Sequence, residues 1–432
     1  MAELLVGCVG LVLLLLLFLT GIELAFAMTA VGFLGFAYLR SVHAAVNLLG
    51  KDYFDAFASY AFTVVPLFVL MGQAASNSGM AEELYKTARK FVGHVPGGLA
   101  LATVVGATFF KAISGSTLAT AATFSSVAIP EMDKYGYSRR LSTGIVASVG
   151  TLGVLIPPSG VMIIMAMITE QSIGTLFLAG TVPGLLIALL FLLVILVWCR
   201  IDPALGPKGP VFAWRERTRS LPQVVWPLLI FCIVIGGLLK GLFTPTEAGS
   251  AGAIAVVALT MAKRDLDTKG LIVSISESLR MGCMVLMLIA GSAVLGHFIT
   301  VTKIPAVIAE WAVTLPLPPK AIMAVIVVIY LVGGSFIDDM AFMILATPIF
   351  FPVAMKLGFD PVWFAVCIGV TLMIGVVIPP VAVSVFIVKS ITGESIGVVY
   401  RGVLPFLLSL LGCLVLLFLF PDVATWLPRA LE

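Results

Sequence analysis

Charge is what this chain has least of. Only 11% of its 432 residues are Asp, Glu, Lys or Arg, against about 25% in an ordinary soluble domain, so it has no polar exterior to present to water. The net charge of +3 comes without a basic stripe interleaved with aromatics, which sets nucleic acid aside as a partner. Histidine is scarcer still: His43, His94 and His297 lie far apart, and scattered imidazoles do not make a metal centre. The six cysteines (Cys8, Cys199, Cys232, Cys283, Cys367, Cys413) include no C-x-x-C pair and fall mostly inside apolar runs, as small hydrophobes do. No H-E-x-x-H, G-x-S-x-G or Walker A sequence occurs, so a metalloprotease and an ATP-driven pump both lack their parts. The first apolar run, Leu4 to Thr20, has neither a basic leader nor an A-x-A-like site, and is expected to be retained as a helix.

Apolar residues are what the chain has in quantity: 61%, with a mean hydropathy of +1.17. Several runs reach the roughly 20 residues that cross a bilayer, which makes this an all-α polytopic membrane protein. Leu4–Thr20 and Leu24–Leu39 read as spans joined at Gly21, followed by a polar stretch from Arg40 to Asp55 and a span near Phe57–Ala75. Gly79–His94 alternates charged and apolar residues, as a surface helix does. Arg200 to Leu221, with three prolines and five basic residues, reads as a solvated linker. Beyond it come spans near Val224–Leu239, Glu247–Met261 and Met281–Thr300, then a short surface helix at Ile304–Val313.

Two stretches organise this pattern. Gly153-Val154-Leu155-Ile156-Pro157-Pro158 recurs 222 residues later as Gly375-Val376-Val377-Ile378-Pro379-Pro380, each breaking a long apolar run. The same offset carries Pro96 to Pro318, Pro130 to Pro352, Gly136 to Gly358, Gly180 to Gly402 and Pro183 to Pro405. An internal repeat with a broken helix in each half is the pattern of secondary transporters. Pro96–Pro130 and Pro318–Pro352 are themselves interrupted, at Ile113–Thr117 and Gly333–Asp338. Each half of these segments, about 22 Å long at 1.5 Å per residue, reaches the midplane, so both segments are expected to be re-entrant hairpins. Basic residues cluster at Lys86–Lys90, Lys134–Arg140 and Arg200–Arg219, which places those loops in the cytoplasm. The hairpins then enter from opposite faces, an inverted-topology repeat. The blocks are 1–95 (scaffold and surface helices), 96–199 (hairpin, broken helix, span), 200–221 (linker), 222–317, 318–420 and a tail, 421–432. Trp198, Trp226, Trp363 and Trp426 fall near span ends, where interface anchors sit.

The breaks can do chemistry. Pro157, Pro158, Pro379 and Pro380 have no backbone N–H, so carbonyls from Gly153 to Ile156 and from Gly375 to Ile378 lose helical donors. Such oxygens suit a dehydrated Na⁺, with Ser114, Thr117 and Ser335 as possible hydroxyl ligands. Helices that start after each tip turn positive ends toward an anion; Ser116, Thr117, Ser335 and Lys111 are candidate substrate contacts. Lys111 sits too deep to snorkel: it would meet a substrate carboxylate, replace a cation, or pair structurally with Asp338 or Asp339. Those two aspartates either cap a helix or couple a cation or a proton. Thr244-Pro245-Thr246-Glu247 has the form of a capping box.

Taken in order, Ala112–Thr117, Gly153–Ser159, Phe243–Ala248, Gly334–Ala341 and Gly375–Val381 resemble the large membrane subunit of a tripartite ATP-independent periplasmic (TRAP) transporter, and the similarity covers nearly the whole chain. The resemblance implies an elevator in which two hairpins and two broken helices slide against the remaining spans. It implies no cofactor beyond Na⁺ as coupling ion, a small four-helix membrane subunit, and a periplasmic binding protein delivering an organic anion across a bacterial inner membrane. By position it puts one Na⁺ site on Ser114, Gly153, Ile156 and Pro158, and the other on Gly334, Gly375, Ile378 and Val381. Two departures stand out: Lys111 replaces a small residue, and Ile378 a common threonine. No four further spans appear at either end, so the small subunit is expected as a separate chain. The alternatives are a stand-alone symporter of related hairpin fold and a membrane enzyme using Lys111 with Asp338. A passive channel is opposed by the closed tips.

Overall fold

Apolar runs punctuated by proline and glycine become helices at every step. The computed structural model describes residues 2–431 and shows no strand among them. The first half comprises α1 (Ala2–Leu19), α2 (Leu24–Leu39), α3 (Val42–Ala58), α4 (Val64–Asn77) and α5 (Met80–Val92). It continues with α6 (Gly98–Ser114), α7 (Thr117–Lys134), α8 (Arg139–Val149), α9 (Gly160–Ile168) and α10 (Ile173–Ile201). A short α11 (Trp214–Ser220) precedes α12 (Pro222–Leu239), α13 (Pro245–Ala262), α14 (Thr268–Thr302) and α15 (Ile304–Thr314). The chain ends with α16 (Pro319–Phe336), α17 (Asp339–Lys356), α18 (Pro361–Gly375), α19 (Val383–Thr392), α20 (Ile396–Leu419) and α21 (Asp422–Leu431).

The 222-residue offset maps α7 onto α17 at both ends and brings α2, α6 and α9 within two residues of α13, α16 and α19. One element differs. α3 and α4 meet at a 54° bend, whereas their counterpart α14 runs unbroken for 35 residues. Pro66 in the first turn of α4 cannot donate back across the break, while the equivalent position holds Leu288.

The inversion is visible along α10. At its start, Gln171 donates to the carbonyl of Pro361, at the base of the second hairpin, at 3.3 Å. Past its end, the carbonyls of Leu205 and Gly206 accept from Ser138 and Gly97, at the base of the first hairpin, at 3.0 and 2.8 Å. A 29-residue helix about 43 Å long therefore separates the two bases, and the hairpins enter from opposite ends. α1 to α4, α13 and α14 pack mainly among themselves as a scaffold, and α12 bridges from α13 to α5 and α6. The hairpins, broken helices, α10 and α20 pack as a second unit.

Several expectations need correction. The stretch read as polar, Arg40–Asp55, is largely helix α3, capped by Ser41, whose hydroxyl accepts from Ala44 N; its polar residues Asn47, Lys51, Asp52 and Asp55 hid it. The linker is mostly exposed but not irregular throughout: it carries α11 and is bonded to the first hairpin's base, where Gly209 N donates to Gly93 O at 2.9 Å. α14 starts well before Met281, and the tail contains α21. The hairpin helices run 17 or 18 residues, about 26 Å, so length alone does not stop them at the midplane. They are re-entrant because their tips abut the breaks. Trp363 is no interface anchor; it is buried, and its indole N–H donates to Leu417 O at 2.8 Å.

Candidate functional site

Both breaks are built the same way, and both contain a cis proline pair, Pro157–Pro158 and Pro379–Pro380. After the first, Ser159 starts α9: its hydroxyl accepts from Met162 N at 3.3 Å and donates to Val154 O at 2.6 Å. One of the carbonyls expected to be free is thus already satisfied. After the second, α19 starts behind Ala382, and Val376 O accepts from Ser384 N at 3.4 Å. The tips also correspond. Ser116 caps α7 by accepting from Ala119 N at 3.3 Å, and 222 residues on Asp338 caps α17 by accepting from Ala341 N at 3.2 Å. Asp339 accepts from Met340 N at 2.9 Å. Capping, one of the two roles considered for these aspartates, is therefore present.

Where tips and breaks converge, a cavity of about 100 Å³ opens, room for about three waters. Ser116, Thr117 and Pro158 line it from the first repeat, and Asp338, Asp339 and Val376 from the second. The facing wall is scaffold: Phe68, Gly72 and Gln73 of α4 with Met281 and Met284 of α14. Gly72 sits against the Ser114 carbonyl so closely that a Cβ would collide with it. Gln73 bridges the scaffold helices by donating to Met281 Sδ at 3.6 Å. The cavity thus lies on the boundary between the two packed units.

Among the residues assigned to the first Na⁺ site, Ser114 and Pro158 line this cavity, while Gly153 and Ile156 lie buried behind it. The Ser114 hydroxyl is 3.5 Å from that of Thr120. Gly115, at φ +57, closes the tip onto the break, and a Cβ there would strike the Pro158 carbonyl. Lys111 is fully buried, is not on the cavity wall, and donates from Nζ to Ser116 O at 2.5 Å. None of the ion pairs among the described residues joins it to Asp338 or Asp339. Lys111 thus makes no direct ion pair with either aspartate, although Asp339 lies close enough for the two charges to act on each other. In the second repeat, Gly375 packs on Gly334, where a Cβ would come within 3.0 Å of its carbonyl carbon, and Val381 N donates to Ser335 O at 3.1 Å. The Ser335 hydroxyl is spent on Val332 O at 2.7 Å. Pro379, Pro380 and Val381 are exposed, and Ile378 is half-buried. Away from this centre, Thr244 and Glu247 form the expected capping box, at 2.8 and 3.3 Å. No cluster of metal-ligating side chains occurs among the described residues.

Residues 11–423 match the family model described as tripartite ATP-independent periplasmic transporter, DctM component. The chain belongs to this family. It is similar to the C4-dicarboxylate TRAP transporter large permease protein DctM of Pseudomonas aeruginosa, 37% identical over 89% of this chain and 90% of that one. It is 30% identical, with the same coverage of both chains, to the sialic acid TRAP transporter large permease protein SiaM of Vibrio cholerae. In fold it resembles the crystal structure of the Alcanivorax borkumensis YdaH transporter, with TM-score 0.64, 15% identity and 90% of each chain covered. This TRAP large permease subunit is thus a multi-pass membrane protein. Its scaffold wall went unnoticed in the sequence, although Gln73, an amide inside an apolar run, was the available signal.

Proposed function

We propose that this permease imports a carboxylate-bearing organic anion with Na⁺ by an elevator movement. It works in a bacterial inner membrane beside a small four-helix subunit and receives its substrate from a periplasmic binding protein. The observation that carries the reading is the cavity itself: one wall is built from both tips and both breaks, the other from the scaffold. A site walled in this way changes sides when one unit slides past the other, which is how repeat-built transporters alternate access.

The anion belongs at the N-terminus of α7, where Ser116 and Thr117 face the cavity and the helix end is positive. At α17 that end already carries Asp338 and Asp339, which repel an anion and favour a cation. The relatives named for C4-dicarboxylate and sialic acid support an acid as substrate. The test is uptake into proteoliposomes holding the chain and its small subunit, with loaded binding protein outside. Uptake that needs both an inward Na⁺ gradient and the binding protein is expected. Uptake without the binding protein would instead mark a stand-alone symporter.

A further inference from the structure

One buried group has no part in the scheme above. We propose that the Lys111 ammonium is a tethered cation filling the first of the two cation sites, so that the transporting unit couples to Na⁺ through the second site only. This rests on the Na⁺-coupled reading and refines it.

The geometry is specific to the first repeat. Lys111 lies on α6 with no exposed surface, and its Nζ donates to the carbonyl of Ser116 at 2.5 Å. The same ammonium occupies the space beside Gly153: a Cβ built there would lie 2.5 Å from Nζ, 2.9 Å from Cδ and 3.0 Å from Cε. Nζ therefore stands between the hairpin tip and the break, the position assigned to the first Na⁺. An ammonium has three donors and no acceptor, so it suits backbone carbonyls as a small monovalent cation does. A second cation of like charge cannot share that space in a low-dielectric interior. Lys111 is also ill placed to hold substrate, since it does not line the cavity.

The second repeat is an internal control. At the offset of 222, Gly333 stands where Lys111 does, so no side chain reaches the second break from that position. Where the first tip carries Ser116 and Thr117, the second carries Asp338 and Asp339. The second half holds carboxylates and no lysine at this position, and although Asp339 also acts on Lys111 through its charge, the mobile cation is assigned to the second break.

The experiment compares Na⁺ activation of uptake in the reconstituted complex for the wild type, Lys111→Ala and Lys111→Met. Lys111→Ala vacates the site, and its activation curve is expected to steepen, its Hill coefficient rising by about one because a second Na⁺ now binds. Lys111→Met keeps the stem but not the charge, and is expected to lose uptake at every Na⁺ concentration while melting as the wild type does. Unchanged steepness in Lys111→Ala overturns the proposal, as does a higher substrate KM with unchanged steepness, which would make Lys111 a substrate contact. Should Lys111→Ala fail to fold, full uptake by Lys111→Met overturns it alone. Wild-type uptake indifferent to Na⁺ would defeat the coupling reading itself, a result separate from any of these.

Discussion

The two halves of the molecule share a backbone plan but not a chemistry. Their hairpins start and stop at the same offset, both breaks end in two prolines, and both second hairpin helices are capped by a side chain accepting from an alanine N–H three residues on. Yet the first break is buried throughout, from Thr151 to Ser159, with a lysine pressed against its glycine, while Pro379, Pro380 and Val381 of the second are exposed. Duplication therefore preserves the features that require particular backbone conformations and leaves side-chain charge free to diverge. Under the proposal above, one of two cation sites has become a fixed charge without altering a helix.

The contrast can be broken most severely at the boundary between the units. Gly72 allows α4 to touch the first tip, a close approach of the kind only small residues permit. Gly72→Leu is expected to abolish uptake while leaving the complex assembled, as judged by size-exclusion elution; retained uptake would show that this contact does not gate movement. A smaller, diagnostic effect comes at Gly153. The added methyl of Gly153→Ala meets the Lys111 ammonium, and overpacking of this sort costs about 1–3 kcal/mol, so uptake is expected to fall roughly tenfold. In the Lys111→Ala background the same change should cost much less, and equal losses in both backgrounds would contradict the contact.

In the second half, Asp339→Asn removes a carboxylate from the tip of the repeat to which the mobile cation is assigned. Half-activating Na⁺ is expected to rise about tenfold, equivalent to about 1.4 kcal/mol, with no change in steepness. The mildest change is Ser116→Ala. Losing that cap costs about 1 kcal/mol, so apparent substrate affinity should fall roughly fivefold while Na⁺ activation stays as it was.

Much of this fold was legible because proline and glycine state backbone requirements directly. Gly136 and Gly358, matched at the repeat offset, both adopt positive φ, at +71° and +82°, and the proline pairs fall where the helices stop. Hydropathy failed where polar residues lie inside a helix: Asn47, Lys51 and Asp52 concealed α3, and Lys269, Glu277 and Arg280 concealed the first turns of α14. The candidate site was half legible. Tips and breaks announce themselves, but the scaffold wall is built from Phe68, Met281 and Met284, residues indistinguishable from any others in an apolar run. Nor does sequence show whether Lys111 meets a carboxylate or a carbonyl. That depends on which oxygen the folded tip turns inward, and here it is that of Ser116.

The central claim, two sites with one mobile cation, is tested most directly by the coupling ratio. In proteoliposomes at thermodynamic balance, the substrate gradient that just cancels a known Na⁺ gradient gives the number of Na⁺ moved per substrate. The account predicts that Lys111→Ala moves one more Na⁺ per substrate than the wild type. Equal ratios in the two proteins would mean that the lysine fills no cation site.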